Sequence, residues 1–189
     1  MKKAKLKISF NAPVVLGFAF ICLIATILGI VTGGAANTLV FSTYRSSFLN
    51  PLTYIRAIGH VFGHSGWSHF FNNMCYILLL GPILEEKYGQ KKICIVILIT
   101  AVATAIINAI LSPNALLGAS GVVFAFIVLV SFTGFKDGEI PLTFILVALI
   151  YIGQQVFQGI FTNDNVSQMG HIIGGAVGAV VGYCWNRKG

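Results

Sequence analysis

Ser120 stands in the run Leu117-Gly118-Ala119-Ser120-Gly121 at the head of an apolar stretch. About fifty residues later His171 opens another, Gly170-His171-Ile172-Ile173-Gly174-Gly175. A hydroxyl within reach of an imidazole is a nucleophile with its base. A neutral His171 would take the Ser120 proton during attack on a carbonyl and return it to the leaving amine. Gly118 and Gly121 permit a tight turn with close backbone approach. A helix beginning at Ser120 would aim unpaired N–H groups and its positive dipole end at a developing oxyanion. In isolation, a serine between glycines is ordinarily a small packing residue of a membrane helix, and a single histidine a helix-to-helix hydrogen-bonding group.

A second cluster runs from His60 through His64 and His69 to Asn73. His69 and Asn73 are four apart and share a helix face, and both are suitable donors to the oxyanion of a tetrahedral intermediate. The three histidines also raise the question of a metal. A zinc protease would show His-Glu-x-x-His, and no glutamate stands near these residues. His60 and His64 read instead as groups that brace a loop by hydrogen bonds. Cys22, Cys75, Cys94 and Cys184 fall in apolar segments, with no metal-ligand spacing and no disulfide framework. Neither a metal nor another cofactor is expected.

These residues must be positioned by membrane helices. The chain of 189 residues is 57% hydrophobic and 9% charged, against about 25% charged in a soluble domain. Apolar runs at roughly 13–34, 69–84, 93–112, 120–134, 140–161 and 169–185 can satisfy their backbones in lipid only as helices. The expectation is an all-α polytopic membrane protein, a six-helix bundle forming one domain over residues 1–189. Its only long loop, residues 35–68 on the outer side, carries Phe41, Tyr44, Phe48, Tyr54, Phe62 and Trp67. Such aromatics settle at the membrane interface, and the loop reads as a partly buried cap or a dedicated binding loop.

Lys2, Lys3, Lys5, Lys7, Lys87, Lys91, Lys92, Lys136, Arg187 and Lys188 fall on one side of this alternating topology, and only Arg45 and Arg56 on the other. By the positive-inside tendency the first side, with both termini, is cytoplasmic. Orientation thus accounts for the net charge of +7. Nucleic acid is not an expected partner, because no basic stripe carries interleaved aromatics. The apolar start resembles a secretory signal, but a core of about 20 residues exceeds the usual 7–15 and reads as an uncleaved first span. No internal repeat is evident, which argues against inverted-repeat transporters.

Span four holds about 14 residues, roughly 21 Å of helix against a hydrocarbon thickness near 30 Å. Ser120 is therefore expected about 10 Å below the outer boundary, within an indentation. Gly174, Gly175, Gly178 and Gly182 line one helix face with His171, letting a neighbouring backbone approach closely. If that neighbour is span four, the imidazole reaches the Ser120 hydroxyl. Gln154, Gln155 and Gln158 lie in the outer half of span five, with Gln154 and Gln158 on one face. They either line a lateral entry or bond to adjacent helices.

Gly118-Ala119-Ser120-Gly121 as Gly-x-Ser-Gly, His69-x-x-x-Asn73 in span two, and Gly170-His171 with its glycine stripe in span six occur in this order at these helix ends. In combination they resemble the rhomboid family of intramembrane serine proteases, over roughly residues 50–185. The resemblance implies a Ser120–His171 dyad without an aspartate, and an oxyanion hole of the Ser120 N–H, His69 and Asn73. It also implies a fifth helix that gates substrate, with Gln154 and Gln158 as candidate gate residues. Glu85-Glu86-Lys87-Tyr88-Gly89 looks like the family's Glu-x-x-x-Gly structural element. Where many members carry Trp-Arg in the first outer loop, this chain has Ile55-Arg56.

The implied activity is endopeptidase cleavage of transmembrane segments of other membrane proteins near the outer face, through an acyl-enzyme, with the lipid bilayer as surroundings. The alternatives are a non-enzymatic rhomboid-like binder of transmembrane segments, or a small transporter. The transporter reading lacks acids within its spans. The minimal six-span length points to a bacterial inner membrane.

Overall fold

Pro13 opens the first helix, α1 (Pro13–Val31), at a position where its missing N–H is no loss. No side chain of the adjoining residues caps it. The Glu85 carboxylate does so from across the molecule, accepting from the Val14 and Val15 N–H groups at 3.1 and 3.0 Å. Val15, Phe18, Cys22, Ala25, Thr26 and Gly29 form the buried face of α1, a spacing of three and four residues. The computed structural model describes residues 8–134, 142–143, 145–150, 153 and 165–187.

Beyond α1 the chain makes a π-helical turn, Asn37–Phe41, and a short helix α2 (Leu52–Gly59). Arg56 is 4% exposed. Its guanidinium lies 4.5 Å from the centroid of the Tyr44 ring and donates to Ser46 Oγ at 3.3 Å. In the Ile55-Arg56 pair the arginine thus braces the loop from inside, while Ile55 faces outward. Phe48, Tyr54 and Trp67 are exposed, and Phe41, Tyr44 and Phe62 are half-buried.

Helix α3 (Trp67–Tyr88) turns into α4 (Gln90–Leu111) through Gly89 alone. Its φ of +84° belongs to glycine, and the Gly89 N–H closes α3 on the Glu85 carbonyl at 2.9 Å. The buried face of α4 is Ile93, Val96, Thr100, Ala101, Thr104, Ala105 and Asn108, again at helical spacing. Helix α5 (Ser120–Ser131) has 12 residues and is buried nearly all round, as expected of a central helix. It packs against α3, α4 and α6 (Asn165–Asn186).

Every named element is helical; among the described residues β pairing is confined to an isolated bridge between Thr43 and Leu116. By length and composition α1 and α4 are each able to cross a membrane. Helix α3 is long enough at 22 residues but carries His69, Asn72, Asn73, Glu85 and Glu86, and α5 is short. The expected fifth span, and Gln154, Gln155 and Gln158 within it, lie outside the described residues, apart from the helical residues 142–143, 145–150 and 153. Helix α6 is already helical at Asn165, the first described residue of that stretch, four residues before the apolar run expected from about residue 169. His171 stands six residues beyond Asn165, within this helix.

Candidate active site

Gly118 has φ +130°, a conformation that a side chain would strain. A Cβ there would also lie 2.8 Å from both Cε1 and Nε2 of His69. Backbone geometry and space agree on glycine, and its absent side chain lets the imidazole lie against the turn that leads into Ser120. That turn is tied down on the other side. The Gly118 N–H donates to the His60 carbonyl at 2.8 Å, and Leu116 exchanges two 2.8 Å hydrogen bonds with Thr43. Asn108 Nδ2 reaches the Asn114 carbonyl at 3.0 Å and that of Thr43 at 3.4 Å.

Helix α5 begins at Ser120 with buried Ala119 as its cap residue and no side-chain cap. Its first-turn N–H groups therefore have no acceptor within the helix, and its positive dipole end opens beside the Ser120 side chain. Gly121 is wedged against the methyl groups of Thr104 and Thr100 on α4 and the Gly170 carbonyl on α6. A Cβ there would meet them at 3.3, 3.5 and 3.4 Å. Thr104 precedes Leu111 by seven residues, so Ser120 starts its helix about 10 Å below that end of α4.

The glycines of α6 bring its backbone onto α5. A Cβ at Gly174 would collide with the Gly121 carbonyl, one at Gly178 with the Ala125 carbonyl, and one at Gly182 with the Phe132 ring. His171, one turn before Gly174, is thereby held level with the first turn of α5. Its ring packs 4.3 Å from that of Phe124, which is one turn beyond Ser120. The sequence pattern did not single out Phe124, since a phenylalanine in an apolar helix carries no signal of its own.

His69 and Asn73 follow one another on the same face of α3. Asn73 is 6% exposed, and its Nδ2 is buried with no hydrogen-bond partner among the described residues. His60 and His64 go to other work. His60 Nε2 lies 3.1 Å from the Thr104 hydroxyl and its Nδ1 3.3 Å from the Arg56 carbonyl, while Thr104 Oγ1 also reaches the Thr100 and Ala101 carbonyls at 2.7 and 3.0 Å. His64 Nδ1 donates to the Phe62 carbonyl at 3.1 Å. Burial pushes His60 down to about 4. It does the same to His64, aided by the charge of nearby His69. Both are neutral near pH 7. An apolar cavity of about 620 Å³ between α2 and α4, lined in part by Tyr54 and Ile106, includes none of these residues.

Residues 51–188 match the Rhomboid domain family, most of the chain. The chain belongs to the rhomboid family. It is 28% identical to RHOMBOID-like protein 4 of Arabidopsis thaliana over 128 residues, which cover 64% of this chain and 31% of that protein. It is 22% identical to rhomboid protease GluP of Bacillus subtilis (strain 168) over 151 residues, 77% of this chain and 30% of that protein. The chain thus spans about a third of the length of these relatives. A rhomboid domain is an integral membrane unit, and the exposed apolar faces of α1 and α4 suit contact with lipid. Sequence reasoning missed Ser65 and Thr104 in this rhomboid site. The one available signal was the four-residue step from Ser65 to His69.

Proposed function

We propose that this rhomboid is an intramembrane serine endopeptidase. Ser120 Oγ attacks a carbonyl carbon in or beside a transmembrane segment of another membrane protein while its proton passes to His171. The C–N bond then breaks, the proton goes to the departing amine, and water releases the acyl group from Ser120. The negative oxygen of each tetrahedral intermediate is received by the Ser120 N–H, His69 and Asn73. The observation that carries this reading is the Asn73 amide, a buried donor without an acceptor among the described residues, on the same helix face as an imidazole that abuts the Ser120 turn. An unpaired buried donor costs stability, and a transient oxyanion gives it a purpose.

The domain in this reading is a six-span bundle over residues 1–189, with both termini cytoplasmic and the site toward the outer face of a bacterial inner membrane. Segments with small or helix-breaking residues near that face are the preferred substrates, since their carbonyls are accessible. The test is cleavage of a model transmembrane substrate in detergent. Ser120→Ala and His171→Ala should each abolish it, and a fluorophosphonate probe should label wild type but not Ser120→Ala. Cleavage that survived Ser120→Ala would overturn the assignment; a folded wild type that neither cleaves nor takes the probe would favour a non-enzymatic binder of transmembrane segments.

A further inference from the structure

Ser65 is exposed at the entry to α3, one residue before its cap residue Gly66. Its hydroxyl lies 3.1 Å from His69 Nδ1, and its backbone N–H donates to the same nitrogen at 3.5 Å. A backbone N–H can only donate, so Nδ1 is the accepting nitrogen of a neutral ring and the Ser65 hydroxyl also donates to it. The ring proton is then on Nε2. That nitrogen lies against Gly118, at the turn into Ser120. His64 fixes the ring plane from the side, its centroid 5.0 Å away and the two planes at 73°.

We propose that Ser65 is a positioning residue that fixes the Nε2–H tautomer of His69, so that the imidazole presents a donor to the oxyanion and not a lone pair. The proposal rests on the protease reading given above. The opposite tautomer would aim an acceptor at a developing negative charge, a repulsive arrangement in place of an attractive one. Ser65 itself touches neither substrate nor Ser120.

The experiment is ¹⁵N NMR of histidine-labelled protein in detergent above pH 7, combined with steady-state cleavage kinetics. Wild-type His69 should show a pyrrole-type Nε2 and a pyridine-type Nδ1. Ser65→Ala should raise the share of the Nδ1–H form and lower kcat roughly tenfold with KM unchanged, while Ser65→Thr, which keeps the hydroxyl, restores both. A His69 that holds the wild-type tautomer in Ser65→Ala overturns the proposal. A tautomer shift with kcat unchanged would retain the Ser65–His69 link and overturn the part assigned to His69 in the oxyanion hole. If wild type cleaved nothing, the ¹⁵N pattern would still decide the tautomer, so the two readings fail separately.

Discussion

Asn73 and Gly118 make different demands on the same few ångströms of space. The asparagine brings a donor that no described residue satisfies, and the glycine removes the side chain that would push His69 away. If the Asn73 amide meets only the transition state, Asn73→Ala should lower kcat by about 10²–10³-fold with KM near wild type. Steady-state kinetics on a model substrate, with a thermal melt to confirm folding, would show it; a rise in KM at constant kcat would instead make Asn73 a substrate-binding group. Both residues could be noticed in the sequence, Asn73 from its spacing to His69 and Gly118 from its place before the serine. That Nδ2 is buried and has no partner among the described residues depends on packing across α3, α5 and the loop before α3, which no local pattern encodes.

Helices α5 and α6 owe their close approach to glycines spaced by four residues, and this was legible because the stripe lies within one helix. Gly174→Ala must force the Gly121 carbonyl aside. Overpacking of this kind costs about 1–3 kcal/mol, so the melting temperature in detergent should fall and cleavage should fall with it. Ala substitution at Gly17 in α1, where an added Cβ meets no described residue within 4 Å, is the control expected not to lower the melt. Less legible were the links between distant parts of the chain, such as Thr43 to Leu116 and His60 to Thr104. They join one loop to another and the end of α2 to α4 across more than forty residues, and follow no periodicity. Hydropathy marks where a helix becomes apolar and not where it begins, and Asn165 through Gln168 are helical before the apolar run.

Across the whole molecule, the loop between α1 and α3 is held to α1, α3 and α4 by two histidines that fold in the neutral form. Their ordinary value of 6.5 applies in the unfolded chain, and in the fold both are pushed down to about 4. Protons therefore bind the unfolded state more readily. The stability these residues contribute is complete above about pH 6.5 and is lost as pH falls toward 4. Melting temperature should be level from pH 8 to 6.5 and decline below, with a shallower decline in His64→Gln; equal slopes in the two proteins would count against this cause. The clasp of Glu85 on α1 bears on where this molecule can be divided. The family match begins at residue 51, yet Val14 and Val15 hold a carboxylate from inside the matched stretch, and Phe18 packs 5.1 Å from Phe62. The matched stretch and the packed fold thus have different boundaries, since α1 lies before the match and is held to it. Two fragments cut at exposed Gly33 and co-expressed should reassemble and co-purify, and Glu85→Ala in the larger fragment should release the smaller one.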